Sequence, residues 1–198
     1  GYLALCTANL PTPTIVDGSE HFNTVLYTGT GATQSITGVG FGSAPDFVWI
    51  KDRTTAYDHH LFDVVRGGGN SLYSNDTVAE NTYATDITFE ADGFSVANGS
   101  GVPQIYINKS GDSYAAWNWK AGGAAVSNTS GSITSQVSAN TDAGFSIASY
   151  SGTGSAASFG HGLATEPSMV IVKGRNVAVD WVVYHKDLGK DKFLYLNG

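Results

Sequence analysis

A chain of 198 residues with 41% hydrophobic and 14% charged residues is large enough for one or two packed domains and too apolar to be disordered. Its 25 glycines, single methionine and four glutamates leave few helix formers, which excludes a helical bundle or a helix-rich α/β enzyme. The net charge of -7 argues against a nucleic-acid groove or an anionic membrane surface as partner, and no apolar run reaches the ~20 residues of a membrane span.

Residues 1–20 read as a connecting arm. The arm begins at Gly1 and contains Leu10-Pro11-Thr12-Pro13-Thr14, where two prolines one residue apart forbid helix and favour extended chain. It is expected to tie the chain to something upstream. Cys6 sits in the apolar run Tyr2-Leu3-Ala4-Leu5-Cys6 and reads as a small buried hydrophobe, with no second thiol for a disulfide.

Strand signals follow in order. Asp46 to Lys51 is a β-branched and aromatic run after Pro45, and His59 to Val65 comes after a polar loop. Gly93 to Val96 starts after a turn at Asp92. Ser113 to Lys120 alternates, with Tyr114, Ala116 and Asn118 on one face and Ala115, Trp117 and Trp119 on the other; the Trp face is expected to be core. Ala121 to Ser130 is rich in Gly, Ala, Ser and Asn, as linkers are. Gly144 to Ile147, Ser168 to Lys173 and Trp181 to His185 then repeat the earlier strand types.

The repetition is detailed. Phe22 to Gly31 aligns with Phe145 to Gly154 at an offset of 123, and after one lost residue an offset of 122 holds to the end of the chain. At that second offset Pro45, Lys51, Arg53, Asp58, Leu72, Tyr73 and Asn75 meet Pro167, Lys173, Arg175, Asp180, Leu194, Tyr195 and Asn197. The chain therefore divides into an arm (1–20), a first unit (21–122), a linker (123–130) and a second, partial copy (131–198) without counterparts of residues 77–120. The fold class is all-β: tandem β-sandwich units, jelly-roll or lectin-like, the second incomplete. Segments 22–76 and 145–198 are expected to superpose, and Phe47, Trp49, Phe94, Trp117, Trp119, Phe145, Val170, Ile171 and Trp181 to be buried.

Nothing in the chain selects a catalytic constellation. His59 and His60 are neighbours that a strand would point to opposite faces, so they cannot share one metal, and they align with the packing residues Trp181 and Val182. The carboxylates are dispersed, and no pair stands out for glycosidase chemistry. Arg66-Gly67-Gly68-Gly69 lacks the Lys-Ser/Thr ending and the helix of a phosphate loop and reads as a turn. The four tryptophans could stack on sugars, although core packing is the simpler use for them. No cofactor, metal or catalytic residue is therefore expected.

The stretch Gly1 to Ile15 resembles a linker in virion proteins of tailed bacteriophages, especially marine and cyanobacterial ones, where it often follows a SPRY-like, concanavalin-type domain. Phe22 to Gly31, Pro45 to Arg53, Leu61 to Gly67 and Tyr114 to Gly123 resemble the repeated β domain of tail-fibre proteins of the same phages. The resemblance implies a non-enzymatic virion protein, part of a tail fibre or spike, that attaches to a host surface or joins parts of the particle. A capsid fibre or decoration protein also fits. The alternative is a carbohydrate-binding or carbohydrate-degrading tailspike. The implied partners are other virion proteins and a host surface glycan, with neither nucleic acid nor membrane insertion.

One loop stands out as a ligand surface: Arg53, Tyr57, Asp58, His59 and His60 form a dense polar and aromatic group, where the second unit has the plainer Asn176 to Asp180. The missing counterparts of 77–120 should leave an apolar face and a strand edge open in the second unit, around Val170, Ile171 and Trp181. Cover by another chain is the expectation, with a symmetric homo-oligomer, commonly a trimer, as the usual solution.

Overall fold

The computed structural model describes residues 15–82, 87–97 and 107–198. Cys6 and the Pro11 and Pro13 pair lie outside the described residues. The end of the arm is a single 3-10 turn, Gly18–Glu20, capped by Asp17, whose Oδ1 accepts the Ser19 backbone N–H at 2.9 Å.

The chain is all-β and antiparallel; helix among the described residues is limited to that turn and another at Lys186–Leu188. Strands β1 (Phe22–Thr28), β2 (Gln34–Thr37), β3 (Phe47–Asp52), β4 (His60–Asp63) and β5 (Asn70–Tyr73) come first. β6 (Asn81–Thr82), β7 (Ile87–Glu90), β8 (Gly93–Val96) and β9 (Ser113–Trp119) complete the first unit. Its sheets run β1-β9-β3-β4-β5-β6 and β2-β8-β7. β9 is the keystone of the larger sheet. Arriving last in sequence, it pairs over its whole length with β1 on one side and over six residues with β3 on the other.

Registers define the two faces of this sheet. Val25, Ala116 and Ile50 line up across β1, β9 and β3, as do Tyr27, Tyr114 and Asp52. Val48 opposes Phe62, and His60 opposes Tyr73. This inner face packs on Ile36, Ile87, Phe94 and Val96 of the smaller sheet, forming one core with Val48, Ile50, Phe62, Ile107 and Tyr114. Tyr27 and Tyr114 stack at 4.9 Å, and their hydroxyls bond backbone: Tyr27 donates to the Ile107 carbonyl and Tyr114 accepts the Lys109 N–H. Gly29 lies so close beneath the Lys109 carbonyl that a Cβ would sit 2.1 Å from its oxygen.

The second unit comprises β10 (Val126–Asn128), β11 (Ser135–Asn140), β12 (Phe145–Tyr150), β13 (Met169–Val172), β14 (Val182–His185) and β15 (Leu194–Tyr195). They form two three-stranded sheets, β10-β11-β12 and β13-β14-β15. β12 stands at the position of β1, and β13, β14 and β15 stand at those of β3, β4 and the end of β5, at the offsets seen in the sequence. The expected linker is more ordered than its composition suggested: Val126–Asn128 is a strand paired with β11.

The burial expectations divide. Phe94 and Trp181 are buried, but Phe47, Trp49, Trp117, Trp119, Phe145 and Val170 are only half-buried, and Ile171 is exposed. The faces of β9 are the reverse of the expectation: Tyr114, Ala116 and Asn118 point into the core, while Trp117 and Trp119 face outward. The reason is that the outer face is also covered. Phe145 of the second unit stacks on Trp119 and meets Phe47 edge-on, both at 6.1 Å, and Trp181 packs with Leu61 and Leu72 beside Phe47 and Trp49. The tryptophans line a layer between units. Among the described residues no layer covers the face of β13 that carries Ile171, which is exposed.

Candidate functional site

The loop between β3 and β4 is built by a device that depends on lysine reach and carboxamide geometry. The Lys51 ammonium folds back to donate to the carbonyls of Asp52 and Tyr57 at 2.7 and 3.0 Å, satisfying loop backbone that no strand pairs. Asp52 Oδ1 accepts the N–H groups of Thr54 and Thr55, the side-chain mimic of a turn. Asn75 then ties loop to sheet: its Nδ2 donates to Asp58 at 2.7 Å and its Oδ1 accepts the His59 N–H at 2.8 Å.

Of the residues singled out from sequence, four lie on this loop. Arg53 is exposed. Tyr57 carries the Lys109 ammonium over its ring at 5.4 Å, and Lys109 in turn pairs with Asp112 at 3.1 Å. The hydrogen bond from Lys109 holds the Asp112 carboxyl below the usual range, and Thr55 also donates to it. Asp58 is committed to Asn75. Burial, reinforced by Lys51, lowers the His59 pKa and favours its neutral form. His60 does not belong to the group. Its ring is 1% exposed, packs edge-on against Tyr73 at 4.8 Å and meets Ser71 Oγ through Nδ1 at 3.1 Å. In β4 its side chain alternates inward while that of His59 stays on the loop, so His60 is a core residue.

The same device recurs in the second unit. Lys173 Nζ donates to the carbonyls of Gly174 and Val177, Asn197 Nδ2 donates to Asp180 at 2.9 Å, and Asn197 Oδ1 accepts the Trp181 N–H at 2.7 Å. Lys51, Asp58 and Asn75 are thus scaffold in both units, and what differs is what the positions on and beside this scaffold touch.

In the second unit those positions grip the first. Arg175, the counterpart of Arg53, forks onto Glu80 with Nε–Oε2 at 2.9 Å and Nη2–Oε1 at 2.6 Å, while the Glu80 N–H returns to the Arg175 carbonyl at 2.7 Å. Trp181, the counterpart of His59, donates its indole N–H to the Tyr73 carbonyl at 2.7 Å and buries its ring on Leu61 and Leu72. Lys173 adds the Thr77 carbonyl at 3.1 Å. Beneath them Arg66 bridges Asp63 at 2.5 Å and Glu80 at 3.0 Å. Burial raises the Glu80 pKa, but the hydrogen bonds from Arg175 and Arg66 outweigh it and hold the carboxyl below its ordinary value.

Sequence reasoning missed this joint. Glu80 lies in the stretch the second unit does not repeat, so no alignment flagged it. The available signal was the match of Arg53 with Arg175 beside the exchange of His59 for Trp181. Among the described residues no group of three or more His, Cys, Asp or Glu is placed to hold a metal ion, and no helix is long and apolar enough to cross a membrane.

No curated protein and no solved structure matches the chain. One family profile does, and it spans both units, residues 17–198. The chain therefore belongs to the family described as DUF7483, a domain of unknown function.

Proposed function

We propose that this protein is a structural component of a tailed-phage virion, part of a tail fibre or spike, in which it joins successive β units and presents them toward the host surface. It acts by assembly rather than catalysis, and its partners are other virion proteins. The observation that supports this reading is the asymmetry of the joint. One unit contributes Arg175, Lys173 and Trp181 from its β13–β14 loop, and the other contributes Glu80, Tyr73, Leu61 and Leu72 from the far side of its sheet.

Such a head-to-tail contact uses two different surfaces, so the first unit keeps its own head surface for another neighbour; joints of this kind build rows rather than closed pairs. Arg53, Tyr57 and His59 stand where the head surface stands in the second unit. The loop first read as a ligand site therefore serves as a protein joint in this reading. Locating the chain in the density of the intact particle tests the proposal: density in a fibre or spike is expected, and absence from the particle overturns it.

A further inference from the structure

One carboxylate oxygen at the end of β3 is buried without a partner. Asp52 is 3% exposed, yet only its Oδ1 is engaged, by the Thr54 and Thr55 N–H groups at 2.7 and 2.8 Å. Its Oδ2 is withdrawn from solvent and accepts no hydrogen bond. Among the described residues no cation pairs with this side chain, because the Lys51 ammonium is spent on loop carbonyls. A carboxylate oxygen taken out of water and left bare is costly, and it calls for a proton or a cation.

The loop does not need this carboxylate. Gly174 holds the same place in the second unit, where Lys173 gathers the carbonyls of Gly174 and Val177 just as Lys51 gathers those of Asp52 and Thr55. Further hard oxygens stand beside it. Asp52 pairs in register with Tyr114, and Asp112 lies just ahead of that residue at the entry to β9. Thr55 joins the two acids, its N–H donating to Asp52 Oδ1 and its hydroxyl to Asp112 Oδ2 at 2.9 Å. The Asp112 side chain is 10% exposed, and its ion-pair partner Lys109 is 42% exposed at the rim. The charge of Asp52 is felt by the ring behind it: burial first, and then Asp52, raises the Tyr114 pKa.

From this arrangement we infer that Asp52 and Asp112 form a binding site for a divalent cation of the calcium type. Asp52 Oδ2, the Asp112 carboxylate and the Thr55 hydroxyl hold the ion, water completes its shell, and the Lys109 ammonium is its competitor for Asp112. Donors that are all oxygen select a hard cation, and calcium accepts an irregular, water-completed shell that magnesium resists. Two carboxylates place the affinity in the weak range, with a Kd of about 10⁻⁴–10⁻³ M. The bound ion ties the β3–β4 loop to the start of β9. The inference does not rest on the virion reading.

The test titrates calcium chloride into the intact 198-residue protein after chelator treatment, by calorimetry and by displacement of terbium luminescence excited through the tyrosines. One saturable site is expected, not filled by magnesium chloride at the same concentration. Asp52→Asn keeps the turn, since a carboxamide oxygen still accepts the Thr54 and Thr55 N–H groups, and it should weaken binding at least about tenfold. Asp112→Asn should do the same, with the circular dichroism spectra of both variants unchanged. Lys109→Gln removes the competing ammonium and should tighten binding roughly three- to tenfold. Calcium uptake that keeps its affinity in Asp52→Asn, or that weakens in Lys109→Gln, overturns the inference. So does a parent chain that, like its Lys109→Gln variant, ignores calcium at about 10 mM, which would leave a shared proton between the two acids.

Discussion

Two copies of one strand pattern sit in this chain under different cover, and the contrast separates what makes a strand from what makes a core. Ile50 and Val172 are equivalent residues in equivalent strands; the first is fully buried and the second 37% exposed. Both strands form at their expected positions, because β-branched runs bounded by Pro, Gly and Asp turns specify extended chain whether or not a layer arrives to cover it. Burial is decided elsewhere, by β7, β8 and β9, which supply the hairpin and the keystone strand for the first unit alone. The joint shows a second contrast: His59 and Trp181 hold the same place, but only the indole is large enough to anchor one unit on the next.

The largest effect should come from removing that anchor. Trp181→Ala is expected to cost about 3–5 kcal/mol of inter-unit stability, by truncating a buried ring and orphaning the Tyr73 carbonyl. Denaturant unfolding should then separate into two transitions, whereas His59→Ala should shift stability by less than about 1 kcal/mol. A single unchanged transition in the tryptophan variant would mean that the joint carries little of the cohesion.

Next in size, Ile50→Ala should destabilise the first unit by about 2–5 kcal/mol, while Val172→Ala should change the second by under about 1 kcal/mol. Equal costs in urea melts would show that the second unit's inner face is covered in solution. The glycines give a finer contrast. Gly29→Ala drives a methyl into the Lys109 carbonyl and should cost roughly 1–3 kcal/mol, whereas Gly152→Ala should be neutral or stabilise by about 0.4–1 kcal/mol through the unfolded state. Paired melting curves check the sign.

The smallest effect concerns the ion triad. Glu80→Gln should weaken the joint by about 1–2 kcal/mol, less than for a fully buried pair because Arg175 stays 43% exposed. Since the folded pKa of Glu80 lies below its ordinary value of 4.5, its contribution is complete above that pH and is lost as the pH falls through the lower folded value. Joint stability measured between pH 7 and pH 3 should show this loss in the parent chain and a flatter profile in the Gln variant.

The strands and their repetition were legible in the sequence because alternation and turn residues are local signals. The choice of face in β9 was not. Tyr114, Ala116 and Asn118 alternate as regularly as Ala115, Trp117 and Trp119, and when both faces are covered, bulk cannot say which cover is the core. The His59–His60 pair divided for a related reason, since a strand boundary falling between them sent one ring to the loop and the other inward. Glu80 was invisible for lack of any local mark: its partners Arg66 and Arg175 lie 14 and 95 residues away.

One carboxylate gives the Gly-rich connection between the units mechanical meaning. Asp46, 2% exposed at the start of β3, gathers Lys120 Nζ at 2.7 Å, the Ala121 N–H at 2.8 Å and the Gly123 N–H at 3.2 Å on a single oxygen. Composition alone would make Ala121 to Ala125 a freely jointed tether, one that uncouples whatever it connects. Pinned to Asp46, it behaves as a welded corner instead. A torque applied to one unit reaches the other with little slack, so the bending stiffness of any rod built from such units would depend on the hydrogen bonds and packing of that aspartate.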